Sequence, residues 1–214
     1  MIYELRIYTL APGTQGEFLR LNRDVGNPIR GDKYGRRVGG WTTEFGTLNQ
    51  YVHLWSYDDL NERERLRRGL AQDEAWAREY VPKIMPLLLT QQNTILYADE
   101  RVPFAPPDDG GRHVYELRSY RTQPGKTKAW LDHFVVGLEA RQKYSKIVGL
   151  WSSDVGGLNQ VVHLWAYRDL VQRAEARARA TTDPDWQAFL GKGMPLLAEM
   201  QAVILVSTEA SPLQ

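Results

Sequence analysis

Two histidines are the strongest candidates for chemistry in this sequence. His53 and His163 occupy equivalent places in a stretch that occurs twice, at 46–57 and 156–167. Histidine titrates near neutral pH, so an interior histidine could act as a general base or bind a metal or haem. The recurrence favours a structural, hydrogen-bonded role in both copies, because a catalytic site usually requires one copy to diverge. Both interpretations stay open, and both residues are kept as catalytic candidates.

Other patterns typical of a metal centre do not occur in the sequence. There is no cysteine, which excludes disulfides, thiolate nucleophiles and cysteine-based zinc or iron–sulfur sites. His-x-x-x-His and His-x-x-Glu-His spacings are also absent, so we predict no metal site. We expect no cofactor, with haem bound by His53 or His163 as the alternative.

Charged and aromatic residues share the predicted strand face with each histidine. Glu4 and Arg6 are two residues apart on one strand, as are Glu116 and Arg118 on its counterpart. An arginine there could clamp a substrate carboxylate through two hydrogen bonds. Ion pairing between the equivalent strands is the favoured interpretation, because both pairs repeat. The predicted substrate-binding residues are Arg6, Tyr8, Trp55, Tyr57, Arg118, Tyr120, Trp165 and Tyr167, together with Arg30 and Tyr34.

Arg30 and Tyr34 belong to a basic, turn-rich segment, 27–37, that does not repeat. Its counterpart, 137–146, is predicted to continue a helix. A flexible cationic loop could cap a pocket and attract an anionic ligand, whereas a solvated loop is the favoured interpretation. The 7 tryptophans and 11 tyrosines could line an aromatic cavity, but their place in apolar patterns favours core packing.

The elements that must position these residues follow from the repeat. Strand alternation, Pro-Gly turns and helical periodicity give each half the order strand, helix, two strands, helical region, strand. Asp59 and Asp169 precede charged helical runs and are predicted to help start them. The offset between the copies falls from 112 (115 − 3) to 109 (194 − 85), and we predict that these small deletions lie in connections.

This order of elements predicts an α+β fold. Each half is expected to be a ferredoxin-like repeat, a four-stranded antiparallel sheet with helices on one face. If the helices cover the face of Leu5, Ile7, Val52 and Leu54, the histidine-bearing faces are bare, and we predict that they meet within one chain as a pseudo-twofold sandwich or barrel. The predicted domains are 1–101 and 113–207, joined by a linker at 102–112 and followed by a tail at 208–214.

Length and charge indicate an ordinary globular protein. With 27 basic and 26 acidic side chains among 214 residues, the formal net charge is +1, which gives no reason to expect nucleic acid or a membrane as a partner. The first residues already alternate as a strand and lack the features of a signal or transit peptide. A cytoplasmic location is therefore expected.

Several motifs in both copies resemble the NIPSNAP family. They are Tyr-Glu-Leu-Arg-x-Tyr followed by Pro-Gly, then Gly-x-Leu-Asn-Gln-x-Val-His-Leu-Trp-x-Tyr and Met-Pro-Leu-Leu. The resemblance implies a dimeric α+β barrel, an architecture shared with small monooxygenases, EthD-like proteins and chlorite dismutase relatives. Animal members are associated with mitochondria and with organelle clearance or vesicle functions, whereas the start of this sequence resembles a bacterial-type member. The resemblance carries over no catalytic residues.

Three functions are compatible with these features. The leading hypothesis is a protein that binds or transforms an apolar or aromatic metabolite without a metal, by monooxygenase-like or proton-transfer chemistry, in a pocket between sheet and helices of one half. The alternatives are a non-enzymatic protein-interaction module and a haem-binding barrel. The expected partner is a small molecule, and association of several copies as a homo-oligomer stays open.

Overall fold

The computed structural model describes residues 1–214 apart from the side chain of Asp154. The chain forms two compact units, 1–95 with 207–214, and 96–206. Each unit contains one of the two sequence repeats, with its own set of strands and helices.

The first unit is built around strand β3. Its elements are β1 (Ile2–Leu10), α1 (Gln15–Leu21), a π-helical turn (Asn22–Gly26), α2 (Asn27–Arg30), β2 (Arg36–Phe45), β3 (Gln50–Tyr57), α3 (Leu60–Gln72), a second π-helical turn (Trp76–Tyr80), α4 (Val81–Ile84), a 3-10 turn (Met85–Leu87) and β4 (Leu88–Ala98), whose end belongs to the second unit. Strand β3 pairs antiparallel with β1 and with β2. The register places Glu4 opposite Trp55 and Arg6 opposite His53, so these four side chains share one face of the sheet.

The second unit repeats this plan around strand β7. Its elements are β5 (Val114–Thr122), α5 (Thr127–Gln142), β6 (Ile147–Val155), β7 (Gln160–Tyr167), α6 (Leu170–Ala180), α7 (Pro184–Gly193), a 3-10 turn (Met194–Leu196) and β8 (Leu197–Ser207). The strand order is β8-β5-β7-β6, and every pairing within it is antiparallel. Glu116 is opposite Trp165, and Arg118 is opposite His163.

The two units share one order of strands and helices, which confirms the predicted repeat and the α+β class. Asn49 and Asn159 adopt the left-handed conformation, with φ of 57° and 58°, in equivalent hairpin turns. Asparagine tolerates this region better than other residues with a Cβ, which explains why it recurs. Asp59 and Asp169 cap α3 and α6 as predicted, accepting backbone N–H groups at 2.8 and 2.7 Å.

Each unit has its own apolar core between sheet and helices. Phe18 and Tyr51 belong to the core of the first unit, and Trp130 and Phe134 belong to the core of the second. The helices around these cores are short, and α5 has 16 residues. None of the described helices combines the length and apolar character needed to cross a membrane.

The helices cover the opposite sheet face from the one that the sequence predicts. Arg63 of α3 donates to Glu4 at 2.6 Å, and Phe134 of α5 packs against His163 with ring centroids 5.1 Å apart. The histidine-bearing faces are therefore covered by helices of their own repeat. The prediction is wrong because both faces are rich in large side chains, and the aromatic rings between the charged groups form apolar surface that helices bury.

Two single-residue differences between the repeats coincide with π-helical turns rather than with the predicted connections. The offset is 112 at the Pro-Gly turns (125 − 13) but 111 at Arg30 and Arg141 (141 − 30), and the turn at 22–26 lies between them. The second turn, at 76–80, lies where the offset between the repeats falls from 110 (186 − 76) to 109 (194 − 85). A π-helical turn widens a helix locally, so an extra residue is accommodated without ending the element.

Residues 27–30 form helix α2, contrary to the turn-rich loop that the sequence predicts. Pro28 lies in the first turn of this helix, directly after the π-helical turn, and its fixed φ is compatible with helix. Gly31, with φ of 47°, ends it. Arg30 is 6% exposed, so the interpretation as a solvated loop is wrong at this residue.

The first half of the predicted linker packs against other residues of the second unit. Val102 is buried, and the Phe104 ring lies 6.4 Å from that of Trp151. The backbone N–H of Ala105 donates to the carbonyl oxygen of Val148 at 2.9 Å. These contacts hold this stretch of the chain in place.

Candidate functional site

A cavity of about 220 Å³ lies in the second unit between its sheet and its helices. Charged and aromatic side chains dominate its wall. They include Arg118, Tyr120, His163, Trp165 and Tyr167 from the strands, and Trp130, Phe134, Arg141, Arg177, Ala180, Trp186 and Phe189 from the helices. The structure thus brings all the residues predicted for the second repeat to one cavity.

His163 is fixed in one tautomer by its neighbour on the same strand face. Nδ1 of His163 accepts a hydrogen bond from the indole Nε1–H of Trp165 at 2.6 Å. Indole is only a donor, so Nδ1 is the unprotonated nitrogen and the neutral ring carries its proton on Nε2. Burial, with the charges of Arg118, Arg141 and Arg177, holds the pKa of His163 well below 6.5. Nε2 is buried and has no hydrogen-bond partner among the described residues.

His53 is held in the same way in the first repeat. Its Nδ1 accepts from Trp55 Nε1 at 2.8 Å, and its Nε2 also lacks a partner within the described part of the chain. Burial is the main cause that keeps the pKa of His53 well below 6.5. The His-x-Trp spacing in both copies carries this signal in the sequence, since alternate strand residues share a face.

These hydrogen bonds do not fit haem ligation by either histidine. An axial histidine binds iron through a nitrogen lone pair, whereas Nε2 carries the proton and Nδ1 is engaged by the indole. Ligation would require the proton to move to Nδ1 and the tryptophan bond to break. Among the side chains that the structure describes, no three His, Asp or Glu residues are grouped as metal ligands.

Glu116 is the buried counterion of an arginine cluster. Its carboxylate accepts from Arg118 at 3.0 Å and from Arg173 at 2.6 Å, with Arg177 at 3.7 Å. The hydroxyl of Tyr167 also donates to it at 3.4 Å. Burial alone would raise the pKa of Glu116, but the hydrogen bond from Arg173 and the neighbouring positive charges outweigh burial and hold the pKa below its usual value. The carboxylate is therefore ionised, and it pairs within its own repeat.

Arg141 of α5 is a cavity residue that the sequence analysis does not single out. Its guanidinium is 4% exposed, donates to Ser145 Oγ and to the Tyr167 hydroxyl (3.2 Å), and lies 4.8 Å over the Trp165 ring. No carboxylate lies within ion-pair distance of it among the described side chains. Burial is the main cause that lowers the pKa of Arg141. A buried guanidinium of this kind is available to an anionic ligand.

Arg30 is the counterpart of Arg141 in the first repeat. It lies 3.3 Å over the Trp55 ring and donates to the Tyr57 hydroxyl at 3.1 Å. Arg30 and Arg141 are separated by 111 residues. The π-helical turn changes the offset by one residue, so an alignment based on the strands does not pair the two arginines. In α5, Arg141 follows Trp130, Phe134 and Leu138 at helical spacing, so an arginine on the apolar face is the signal that the sequence carries.

At two positions near its histidine, the first repeat carries a larger side chain than the second. Tyr51 stands where the second repeat has Val161, and Leu70 stands where it has Ala180, both at an offset of 110. Tyr51 and Leu70 are buried, 1% and 4% exposed. The two repeats therefore share the histidine, glutamate and arginine residues but differ in the volume left beside them.

Hydrogen bonds hold the Tyr51 side chain in position. The Tyr51 hydroxyl accepts from Arg37 at 2.8 Å and donates to Asn22 Oδ1 at 3.4 Å. The Asn22 amide donates in turn to the Tyr80 hydroxyl at 2.9 Å. These hydrogen bonds connect Tyr51 and Tyr80, which both belong to the core of the first repeat.

The remaining predicted residues of the first repeat are divided between two places. Arg6 donates to the Tyr8 hydroxyl at 2.8 Å, and the Tyr8 ring lies 4.7 Å from that of His53. Tyr34 instead donates to Asp73 Oδ2 at 3.0 Å. It therefore joins the segment after α2 to the end of α3, in the same way that Tyr144 joins Asp183 in the second repeat.

Comparison with known proteins finds relatives of the whole chain. The family model described as NIPSNAP matches residues 3–105 and 115–212. The chain is 32% identical over 221 residues to Protein NipSnap homolog 3A of Homo sapiens, which covers 100% of this chain and 86% of the human protein.

Two solved structures are similar to the full chain at low identity. One is a monooxygenase-like protein from Fusobacterium nucleatum, with a TM-score of 0.71 and 9% identity over 97% of this chain and 92% of that chain. The other is an anthrone oxidase-like protein, with a TM-score of 0.69 and 11% identity over 100% of this chain and 94% of that chain. These likenesses concern the fold alone, and they confirm the predicted fold class.

Proposed function

The chain belongs to the NIPSNAP family, and we propose that it binds a small apolar or aromatic metabolite in the cavity of its second repeat. The observation that carries the proposal is the divergence of the two repeats around a common set of polar residues. Ala180, which stands where the first repeat has Leu70, and His163 both line a cavity of about 220 Å³. Aromatic walls with a few fixed polar groups are typical of small-molecule sites.

The polar groups of the cavity favour negative charge on a bound molecule. Arg118, Arg141 and Arg177 line it, with Glu116 as the acidic residue, while His163 is held neutral. Nearby positive charges lower the pKa of a bound acid and stabilise the anion that proton loss produces. In the metal-independent proton transfer that we propose, the proton of the ligand passes to solvent water and the arginines hold the resulting anion. Oxygenation of that anion would need molecular oxygen as a second reactant.

His163 would take part as a hydrogen-bond donor. Its Nδ1 is engaged by Trp165, so Nε2–H is the group left to interact with a ligand. A neutral imidazole that donates to a ligand oxygen stabilises negative charge on that oxygen. Action as a general base would require the indole hydrogen bond to break first.

A substitution copied from the first repeat tests the proposal. Ala180→Leu introduces the residue found at Leu70 and should fill part of the cavity, so binding of 2-naphthol, measured by calorimetry, should be lost. Ala178→Leu is the matched control, because Ala178 is exposed on the same helix. Equal binding of 2-naphthol to both variants, or none to the natural protein, would contradict the proposal. Native mass spectrometry of protein purified from cells would show whether a metabolite copurifies.

A further inference from the structure

The hydrogen-bonding groups left over in the cavity are all donors. Nε2–H of His163 and Nε1–H of Trp130 are buried without a hydrogen-bond partner among the described residues, and both residues line the cavity. Buried donors in native proteins nearly always have acceptors. A ligand that supplies oxygen acceptors would complete them.

The charged groups of the cavity wall also favour a ligand that supplies oxygen acceptors. Glu116 is already engaged by Arg118 and Arg173, so its negative charge is used within the protein. Arg141 has hydroxyl and ring partners but no carboxylate within ion-pair distance among the described side chains. Its planar guanidinium matches the geometry of a carboxylate, which can accept two parallel hydrogen bonds.

Differences between the repeats favour the second one as the place where a carboxylate would bind. Arg30 lies 3.3 Å over Trp55, whereas Arg141 lies 4.8 Å over Trp165. In the first repeat Tyr51 and Tyr80 fill the core beside His53. Arg141 thus combines a buried charge with adjacent open space.

From these observations we infer that the natural ligand is a small monocarboxylate with a flat apolar body, its carboxylate held by Arg141 and by the Nε2–H of His163. The inference rests on the proposed function, since it specifies the ligand class of the same cavity. The volume of about 220 Å³ is below the roughly 300–1,000 Å³ of pockets for drug-sized molecules. One or two fused rings fit this limit, with ring faces against Trp130 and Phe134.

Calorimetry with two matched probes tests the inference on the natural protein. 2-Naphthoate and 2-naphthamide have nearly the same shape, but only the first carries a charge at pH 7.5. We expect 2-naphthoate to bind roughly tenfold or more tightly than 2-naphthamide, because charge-assisted hydrogen bonds are stronger than neutral ones. Equal affinities would overturn the carboxylate inference and leave the proposed function standing. Failure of both probes to bind would count against both.

Two matched variants locate the carboxylate. Arg141→Met removes the charge but keeps much of the side-chain volume, so it should abolish the preference for 2-naphthoate over 2-naphthamide. Arg30→Met makes the same change in the first repeat and should keep the preference. Loss of the preference in Arg30→Met but not in Arg141→Met would contradict the assignment. If Arg141→Met does not fold, as judged by its thermal melt, His163→Gln should still weaken 2-naphthoate more than 2-naphthamide.

Discussion

At the scale of residues, the histidine–tryptophan pair determines much of the chemistry of the site. The two side chains are two residues apart on a strand, and the indole N–H leaves the imidazole only one possible neutral tautomer. Each histidine is therefore both a structural acceptor and a potential donor. The structural role recurs in both repeats, whereas the adjacent space differs.

Substitution of the histidines should separate these two roles. Asparagine can still accept from the indole, so His53→Asn and His163→Asn should each lose modest and similar stability. Alanine leaves the buried indole N–H unsatisfied, so His53→Ala and His163→Ala should each lose about 1–3 kcal/mol. Urea unfolding of the four variants measures this. A markedly unequal loss between the repeats would contradict the shared structural role.

The histidines also predict how stability depends on pH. Because the folded-state pKa values of His53 and His163 are well below 6.5, the unfolded chain binds protons below that pH that the folded chain does not. Stability should be complete above about pH 6.5 and should fall on acidification by about 1.4 kcal/mol per pH unit for each histidine. Urea unfolding at pH 7.5 and 5.5 measures the change. His163→Asn should show a smaller decrease, and an equal decrease would contradict this origin.

At the scale of elements, close helix packing holds the wall of the cavity. A Cβ built on Gly137 of α5 would lie 2.5 Å from Phe189 Cβ of α7, whereas a Cβ on Gly191 of α7 meets no atom within 4 Å. Gly26 approaches Tyr80 in the same way at 2.6 Å. Glycine at the crossing therefore allows the two helices to come close enough to carry Phe134 and Phe189 to the cavity.

Alanine at the two glycines should have opposite effects. Gly137→Ala should destabilise the protein by about 1–3 kcal/mol, because Phe189 or the helix must move. Gly191→Ala should stabilise it by up to about 1 kcal/mol, because alanine favours helix and nothing obstructs its methyl group. Thermal melts of the two variants test the pair. An unchanged melting temperature in Gly137→Ala would show that α5 and α7 have room to separate.

At the scale of the whole molecule, the chain returns to its first unit at the end. Residues 207–214 belong with 1–95, although the repeat alone places them after the second domain. Thr208 N–H donates to Gly40 O at 3.0 Å, and Gly40 N–H donates to Ser211 Oγ at 3.0 Å. Leu213 is 7% exposed. The tail thus covers backbone and apolar surface of β2.

Loss of this tail should destabilise the first unit. Removal of residues 209–214 exposes the surface buried by Leu213 and leaves the Gly40 N–H without its acceptor, a loss of about 2 kcal/mol or more. Urea unfolding measures the total, and hydrogen exchange at the Gly40 amide should become faster. Leu213→Ala should reproduce part of the loss, whereas Leu158→Ala, at a residue that is 68% exposed, should not. An unchanged Gly40 amide would contradict the role of the tail.

The sequence by itself determined the repeat, the strand order within each half and the sets of side chains that share a strand face. Period-two alternation and turn residues are local signals, so Glu116, Arg118, His163 and Trp165 could be placed together without a structure. The left-handed asparagines and the aspartate caps are local in the same sense. These features required no knowledge of what packs against the sheet.

Only the tertiary structure decided which sheet face the helices cover, because both faces present large side chains and alternation does not rank them. It also decided the surroundings of Arg141, since a π-helical turn shifts the helical alignment between the repeats by one residue and helical spacing does not show which groups surround the guanidinium. The cavity depends on this packing as well. Ala180 has no distinctive sequence pattern, and it lines the cavity only because helices, not a second sheet, lie over His163.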